Sequence, residues 1–488
     1  MRNSFLTLIA FLAFAFAGNA QKFKVTNNQT TMLEKSGRVV NTVAKQNDYA
    51  GFDGKFHYFV VDKKTLLKTD ESLKKITSVE LPQKFESKTL TNFYSEDIAG
   101  FLCVKQNKND FIIQKMTINN KGLDETELLT VSAGKGDYYQ ADFSTSPDKK
   151  TKMIALTIAS SKDEYKSTFI FVINNQGDIL WSQNFAPNFK DKSFNFSDMC
   201  VGNDGSVYVL ATSFTDKVKK CNLHLFKLNK EEGIEEKNSI PFVFNRIGSM
   251  KMLMLSNGNI FAGGYYTEAD NAKDSKDAGT FTYTFDGQTL EKLNFKSKTL
   301  EATTPKDMSS KAYIKEGMKG IKGIYETTDG KVTMFAEGLT IISGRDIPTT
   351  YVRENVSILS FDLSGNYENS SVLFKNQQAY TVDVLISFNV LVNGDELILI
   401  YNDHIKNDIS VNIPKVKQYI SFFYKKTGQT IACSIKNGIV GKKQVIINAK
   451  NEKRIFYNVA EQFDKEAIIR VQTGIASIGS LMLEKLSW

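Results

Sequence analysis

The sequence predicts an all-β chain folded as a β-propeller of four-stranded antiparallel blades, with seven blades preferred and eight as the alternative count. Three observations predict it. The first is a hairpin signature that keeps returning. Aligning the last strand residue before each turn gives Val61, Ile118, Ile173, Leu228, Phe285, Phe361 and Tyr424, separated by 57, 55, 55, 57, 76 and 63 residues. In most copies a glycine stands four residues on, as Gly177 does after Ile173, where a hairpin loop needs φ > 0. The second is a turn-plus-strand unit between those copies, read in NDGSVYVLA (203–211), SNGNIFAGG (256–264), TDGKVTMFA (328–336) and NGDELILIY (393–401). Weaker copies lie at 96–104, 146–156 and 450–459. Two turns per period imply four strands per unit. The third is the strands themselves: VYVL, LILI and FIFVI are continuous apolar runs, which suit sheets covered on both faces.

From the N-terminus, Arg2 precedes the apolar run 5–17, and Gly18-Asn19-Ala20 offers small residues for cleavage. Residues 1–20 are therefore expected to be a signal peptide cleaved after Ala20, the run being shorter than the roughly 20 residues that span a bilayer. The mature protein is expected to be exported, periplasmic or secreted, with no transmembrane anchor. Residues 21–488 form a single propeller domain, because repeat architectures outgrow the size at which ordinary cores divide. Only 305–317 invites a short helix, with Pro305 near its start. The expected seven blades follow if the copy around Arg454 joins the N-terminal segment to close the circle. Tandem sandwiches would not need the period.

The net charge of +8 is a mild excess carried mostly by lysine, with only seven arginines in 488 residues. Nucleic-acid surfaces concentrate arginine with aromatics, so nucleic acid is excluded as the main partner. Cys103, Cys200, Cys221 and Cys433 each lie in or beside apolar strand patterns and read as buried thiols; Cys200 and Cys221 are the one pair placed to bridge. His57 and His224 sit inside strands and read as packed histidines. No metal motif, nucleophile elbow or phosphate loop occurs, and no cofactor is expected. Enrichment in Lys, Asn, Ile and Phe beside the leader suggests an AT-rich bacterial source.

Connectivity puts the turns between strands one and two, and three and four, on one side of the disc. The long segments 186–198, 265–279, 296–320, 337–355 and 401–414 gather on the other. Loops on a rigid scaffold carry binding. The candidate contacts there are Tyr265 and Tyr266 for stacking, Arg345 and Arg353 for anions, and Tyr401, Asp403 and His404 for polar contacts. The expected function is a non-catalytic, monomeric module binding a protein or glycan through this face. The alternative is a carbohydrate-active hydrolase or lyase with a carboxylate pair in the central funnel.

Gly177 followed by Trp181 resembles the quinoprotein-type propeller repeat, from which Ile173, Gln176 and Asp178 depart, and TGQTIA (427–432) resembles its Thr-Gly part. NIFAGGYY (259–266) resembles a kelch strand through Gly263-Gly264. The resemblance implies a propeller, and no cofactor, since the quinone-binding residues have no match.

Overall fold

The computed structural model describes residues 24–25, 31–32 and 47–487, apart from Gly54 and a set of connections. The longer of these connections are 81–87, 186–194, 269–276, 304–318, 381–385, 422–426 and 474–479. The expected leader (1–20) and short helix (305–317) lie outside the described residues.

Among the described residues the strands fall into eight consecutive sheets whose sequential strands pair antiparallel, numbered here as blades 1 to 8: 47–80, 88–132, 138–185, 195–241, 246–299, 319–373, 388–448 and 454–487. The chain is a β-propeller. First strands of blades 1 and 2, 3 and 4, 4 and 5, and 5 and 6 touch one another, so the first strand of each blade lies nearest the axis. Blade 8 is made by both chain ends: Lys24–Val25 and Thr31–Met32 pair with Ser480–Ser487. The expected closure by joined termini is therefore present, but the seven-blade count is corrected to eight. The seven aligned hairpins belong to blades 1 to 7, and the C-terminal segment brings three further strands of its own.

The alignment itself mixes two positions. Ile118, Ile173, Leu228, Phe285 and Phe361 each precede the turn between strands three and four, whereas Val61 ends the second strand of its blade. Tyr424 lies outside the described residues, and the equivalent turn of blade 7 is at Asn437-Gly438. The copy at 450–459 is the junction between blades 7 and 8 rather than an internal turn.

Both turn families are built alike. In the opening hairpin of blade 3's outer edge, Gly177 N–H donates to Asn174 O at 3.1 Å and Asn174 N–H to Asp178 O at 3.1 Å. The Asn174 side-chain oxygen accepts from the backbone of Gln176 and Asp178, both at 2.9 Å. That closes a tight loop whose last residue must turn left-handed, and Gly177 has φ 76°. A Cβ there would sit 2.5 Å from the Phe93 ring of blade 2, so the glycine also permits the blade-to-blade approach.

Strand burial follows position in the blade. Middle strands are buried on both faces: Asn259–Thr267, Gly279–Asp286 and Glu396–His404 are almost wholly inaccessible. Outer strands such as Lys292–Thr299 are open, and the inner strand Tyr138–Thr145 alternates. The core is a series of layers, each hydrophobic cluster drawing on two successive blades, from blades 1 and 2 through to blades 7 and 8. Each sheet thus supplies its neighbours' second cover.

A polar latch recurs across these seams. Trp181 Nε1 donates to Gly205 O at 3.0 Å, Tyr208 Oη to Gly287 O at 2.6 Å, Thr282 Oγ1 to Gly365 O at 2.7 Å and Ser371 Oγ to Gly438 O at 2.6 Å. In each case a side chain of one blade donates to a turn glycine's carbonyl in the next. Trp181 therefore serves a seam.

The four cysteines are free and buried, and Cys200 and Cys221 are not bridged although they share the layer between blades 4 and 5. His57 packs against Phe52, and His224 Nε2 lies 2.8 Å from Ser213 Oγ, as expected of core histidines. No helix of the described residues is long and apolar enough to cross a membrane.

Candidate functional site

Blade 6 departs from the others. Its second and third strands, Lys331–Gly344 and Ile347–Asp362, run to 14 and 16 residues, well beyond the fourth strand Tyr367–Leu373. The surplus projects as a hairpin on the long-loop face. There 350–353 pair with Gln377–Tyr380, which in turn pairs in parallel with Tyr419–Ile420 from blade 7. Leu339, Ile341 and Ile342 on this hairpin are 40%, 55% and 46% exposed. Tyr380 and Val411 are exposed close by in sequence to the same accessory strands and loop.

Beneath the hairpin lies a buried charged network. Glu337 and Lys375 side chains are both 0% exposed and form an ion pair through Lys375 Nζ and Glu337 Oε1. Arg353 Nη1 stands 3.3 Å from Glu337 Oε2, Lys322 Nζ stands 3.9 Å from it, and Ser387 Oγ donates to it at 2.6 Å. Lys375 Nζ also donates to Gln377 Oε1 at 2.7 Å, and Gln377 Nε2 donates to Asn402 O at 2.6 Å. Asn402 Nδ2 then reaches Phe456 O of blade 8 at 2.7 Å. Burial lowers the Lys375 pKa, and Glu337 opposes that shift by favouring the ammonium. Lys375 and Arg353 converge on one buried carboxylate, so these charges are committed to one another rather than offered to a ligand, with the part-exposed Lys322 at the edge.

The sequence-derived site residues are redistributed accordingly. Tyr265 is wholly buried in the layer between blades 5 and 6, and Tyr266 stacks on Phe244 with centroids 3.5 Å apart in the layer between blades 4 and 5. Neither is an open stacking platform, because each ends a second strand covered on both sides. Arg345 lies outside the described residues. Arg353 is committed to Glu337, and Tyr401 packs in the layer between blades 6 and 7. Asp403 Oδ1 accepts from His404 N at 2.8 Å and from Asn407 Nδ2 at 2.7 Å. His404 Nδ1 accepts from Lys406 N at 3.0 Å, which leaves the proton of the neutral ring on Nε2. Burial raises the Asp403 pKa and lowers that of His404. These two residues fold the loop that follows them, where Asn407 and Lys417 exchange two further hydrogen bonds of 2.7 and 2.9 Å.

Arg353, Tyr401, Asp403 and His404 are thus brought to one seam, while the two tyrosines belong elsewhere. Glu337, Lys375 and Gln377 were missed. A charge placed directly after the apolar run VTMFA, and another directly after Leu373-Phe374, were the signals that could have marked them as buried.

The central channel holds a second constellation. Asp142, Asp198 and Lys251 stand on the inner strands of blades 3, 4 and 5. Lys251 Nζ is 3.4 Å from Asp198 Oδ1, and Met252 N–H donates to Asp198 Oδ2 at 2.8 Å. Desolvation raises both carboxyl pKa values, and Lys251 opposes the shift in each. The exposed ring of Phe143 neighbours Asp142 on the same strand. Among the described residues no group of three or more His, Cys, Asp or Glu is placed to hold a metal ion.

No protein-family model and no curated protein matches the chain. The fold is similar to solved β-propeller proteins. The WD40 domain of SCAP from fission yeast is 10% identical, with TM-score 0.37 over 96% of this chain and 98% of that one. BamB from Moraxella catarrhalis is 9% identical, with TM-score 0.40 over 94% and 100%. The polysaccharide lyase Uly1 is 9% identical, with TM-score 0.38 over 96% and 99%.

Proposed function

We propose that this propeller is a non-catalytic, exported binding module whose protein partner docks on the long-loop face, at the hairpin projecting from blade 6. The observation that carries the reading is the exposure of Leu339, Ile341 and Ile342 on a hairpin anchored by a buried charged network. Aliphatic side chains held rigidly in water lower free energy only when covered, and they offer little to a sugar. Among the described residues, strand 339–344 is paired on one side alone, so its backbone can also accept an added strand. The test is recovery of a partner from the native envelope by the wild-type protein and by the double variant Ile341→Lys, Ile342→Lys. Equal recovery by both, with unchanged thermal stability, removes the hairpin as the docking element.

A second reading, a carbohydrate-active enzyme, is favoured by the channel carboxylates alone. Burial raises the pKa of both Asp198 and Asp142, and carboxyls held above their usual range suit the acid role of such an enzyme. Turnover of a polysaccharide panel that disappears in both Asp142→Asn and Asp198→Asn would establish this reading over the first.

A further inference from the structure

The seam between blades 5 and 6 opens outward into a cleft of about 250 Å³, which meets the long strands of blade 6 at Phe361, the end opposite to the projecting hairpin. Its floor comes from the third strand of blade 5, where Thr280 and Thr282 pair with Lys298 and Lys296 of the fourth strand. Paired residues share a face, so both lysines stand on the side of blade 5 turned toward blade 6. The opposite wall is the blade 6 turn, Gly365 to Tyr367. Gly365 allows the wall to come close: a Cβ there would lie 2.8 Å from Thr282 Oγ1, and its carbonyl takes the Thr282 hydroxyl.

The charge of this cleft is one-sided. No aspartate or glutamate lines it, and neither Lys296 nor Lys298 carries an ion pair among the described residues. Lys298 Nζ instead lies 5.4 Å from the centroid of the Tyr367 ring. Lys115, Lys331 and Lys436 each hold a carboxylate across a strand or a seam, whereas these two lysines converge on a concavity that offers them none. The remaining lining supplies what a sugar ring uses: the Asn366 amide and an aromatic face.

We propose that this cleft binds an acidic saccharide, one ring of which lies against Tyr367 while its carboxylate or sulfate takes Lys296 and Lys298. The volume sits just below the usual range for small-molecule sites, about 300–1,000 Å³, which fits one acidic ring of a longer chain with the rest running along the open outer strand. The site is separate from the docking hairpin and from the channel carboxylates, and it stands or falls without them.

The experiment is calorimetric titration of the mature protein with trigalacturonate, a sulfated galactose trisaccharide, neutral galactotriose and inorganic sulfate. Saturable binding of one or both acidic trisaccharides is expected. It should weaken about tenfold in the variant Lys296→Ser, Lys298→Ser and again when ionic strength rises from about 0.05 to 0.5 M. Both lysines are exposed, so an unchanged melting profile certifies the variant's fold. The carboxylated and sulfated arms identify which anion is used. Equal binding of galactotriose, equal binding of free sulfate, binding indifferent to the double substitution, or no binding at millimolar concentration each overturns the proposal.

Discussion

The layer between blades 4 and 5 and the seam between blades 6 and 7 do the same architectural job with opposite chemistry. The first is apolar through its depth: Leu210, Leu223, Leu225, Met250, Met252, Ile260 and Tyr283 interdigitate, and the one ion pair described across it, Asp198 with Lys251, sits at the inner edge on the first strands. The second keeps an apolar layer around Phe335, Tyr401 and Ile431, but sets Glu337, Lys375 and Arg353 at its long-loop end. Apolar burial is forgiving, because a neighbouring side chain can shift to fill part of a gap. A buried ion pair is not, because each charge is tolerated only while its partner stands beside it. The difference coincides with where the fold carries extra structure. The charged seam roots the accessory strands through Lys375, Gln377 and Ser387.

That contrast is sharpest in Glu337→Ala, which should cost about 3–5 kcal/mol in denaturant unfolding, since it strands the buried Lys375 ammonium and loosens Arg353. The double variant Glu337→Met, Lys375→Met should recover much of that loss, because apolar replacements remove the desolvation penalty together with the pair. A single-variant loss under about 1 kcal/mol would mean that water reaches the pair and that the seam is not charge-dependent.

Leu225→Ala in the apolar layer should cost about 2–4 kcal/mol by lost transfer energy and cavity formation. The comparison breaks if this substitution outweighs Glu337→Ala. Hydrogen exchange separates them further. Leu225→Ala should speed exchange in both blades 4 and 5, and Glu337→Ala chiefly in 377–380 and 419–420, which are tied to blade 6 by few pairings.

How much of this was legible follows from the same physics. Apolar middle strands and Asn-Gly or Asp-Gly turns are local signals, so the propeller, its four-stranded units and its end-to-end closure could be read directly. The count failed by one because Val61 and Tyr424 entered a register they do not share, and because the closing sheet is assembled from segments more than 400 residues apart. The site was less legible still. Tyr265, Tyr401, Asp403 and His404 were read as loop residues, but each lies in the last turns of a second strand, where the next blade covers it. Whether a polar side chain at a strand end faces water or a neighbouring sheet depends on contacts across the seam. Pairing of Arg353 with Glu337 and of Asp198 with Lys251 is likewise set by strand register and blade packing, which no short window of sequence contains.

The channel offers a pH-dependent test of intermediate size. Asp198 has its pKa raised above 3.8 by desolvation, with Lys251 and the Met252 amide only partly offsetting this. Between 3.8 and the raised value the folded state binds the proton and the unfolded state does not. Stability from this group is therefore gained as pH falls through that window and lost as pH rises out of it. Asp198→Asn should remove that slope while leaving the rest of the profile in place. The two stability curves, measured by urea midpoint from neutral pH down to pH 3.8, should converge at the acid end. Parallel curves would show that Asp198 titrates as an ordinary carboxylate.

The smallest effect belongs to the latches. Tyr208→Phe deletes the hydroxyl that donates to Gly287 O at 2.6 Å and leaves the ring in its layer, so the loss should be about 1 kcal/mol. The value discriminates because the acceptor is a turn carbonyl. If water replaces the hydroxyl at the blade rim, the loss falls toward zero and the latches only tune the angle between blades. If the carbonyl is left dry, the loss approaches about 2 kcal/mol, and the repeated side-chain-to-glycine bond becomes a true second cohesive force beside the apolar layers. Ser371→Ala, at the charged seam, should then show the same size of effect as Tyr208→Phe at the apolar one, since both donate to a turn glycine at 2.6 Å whatever the chemistry of the layer behind them.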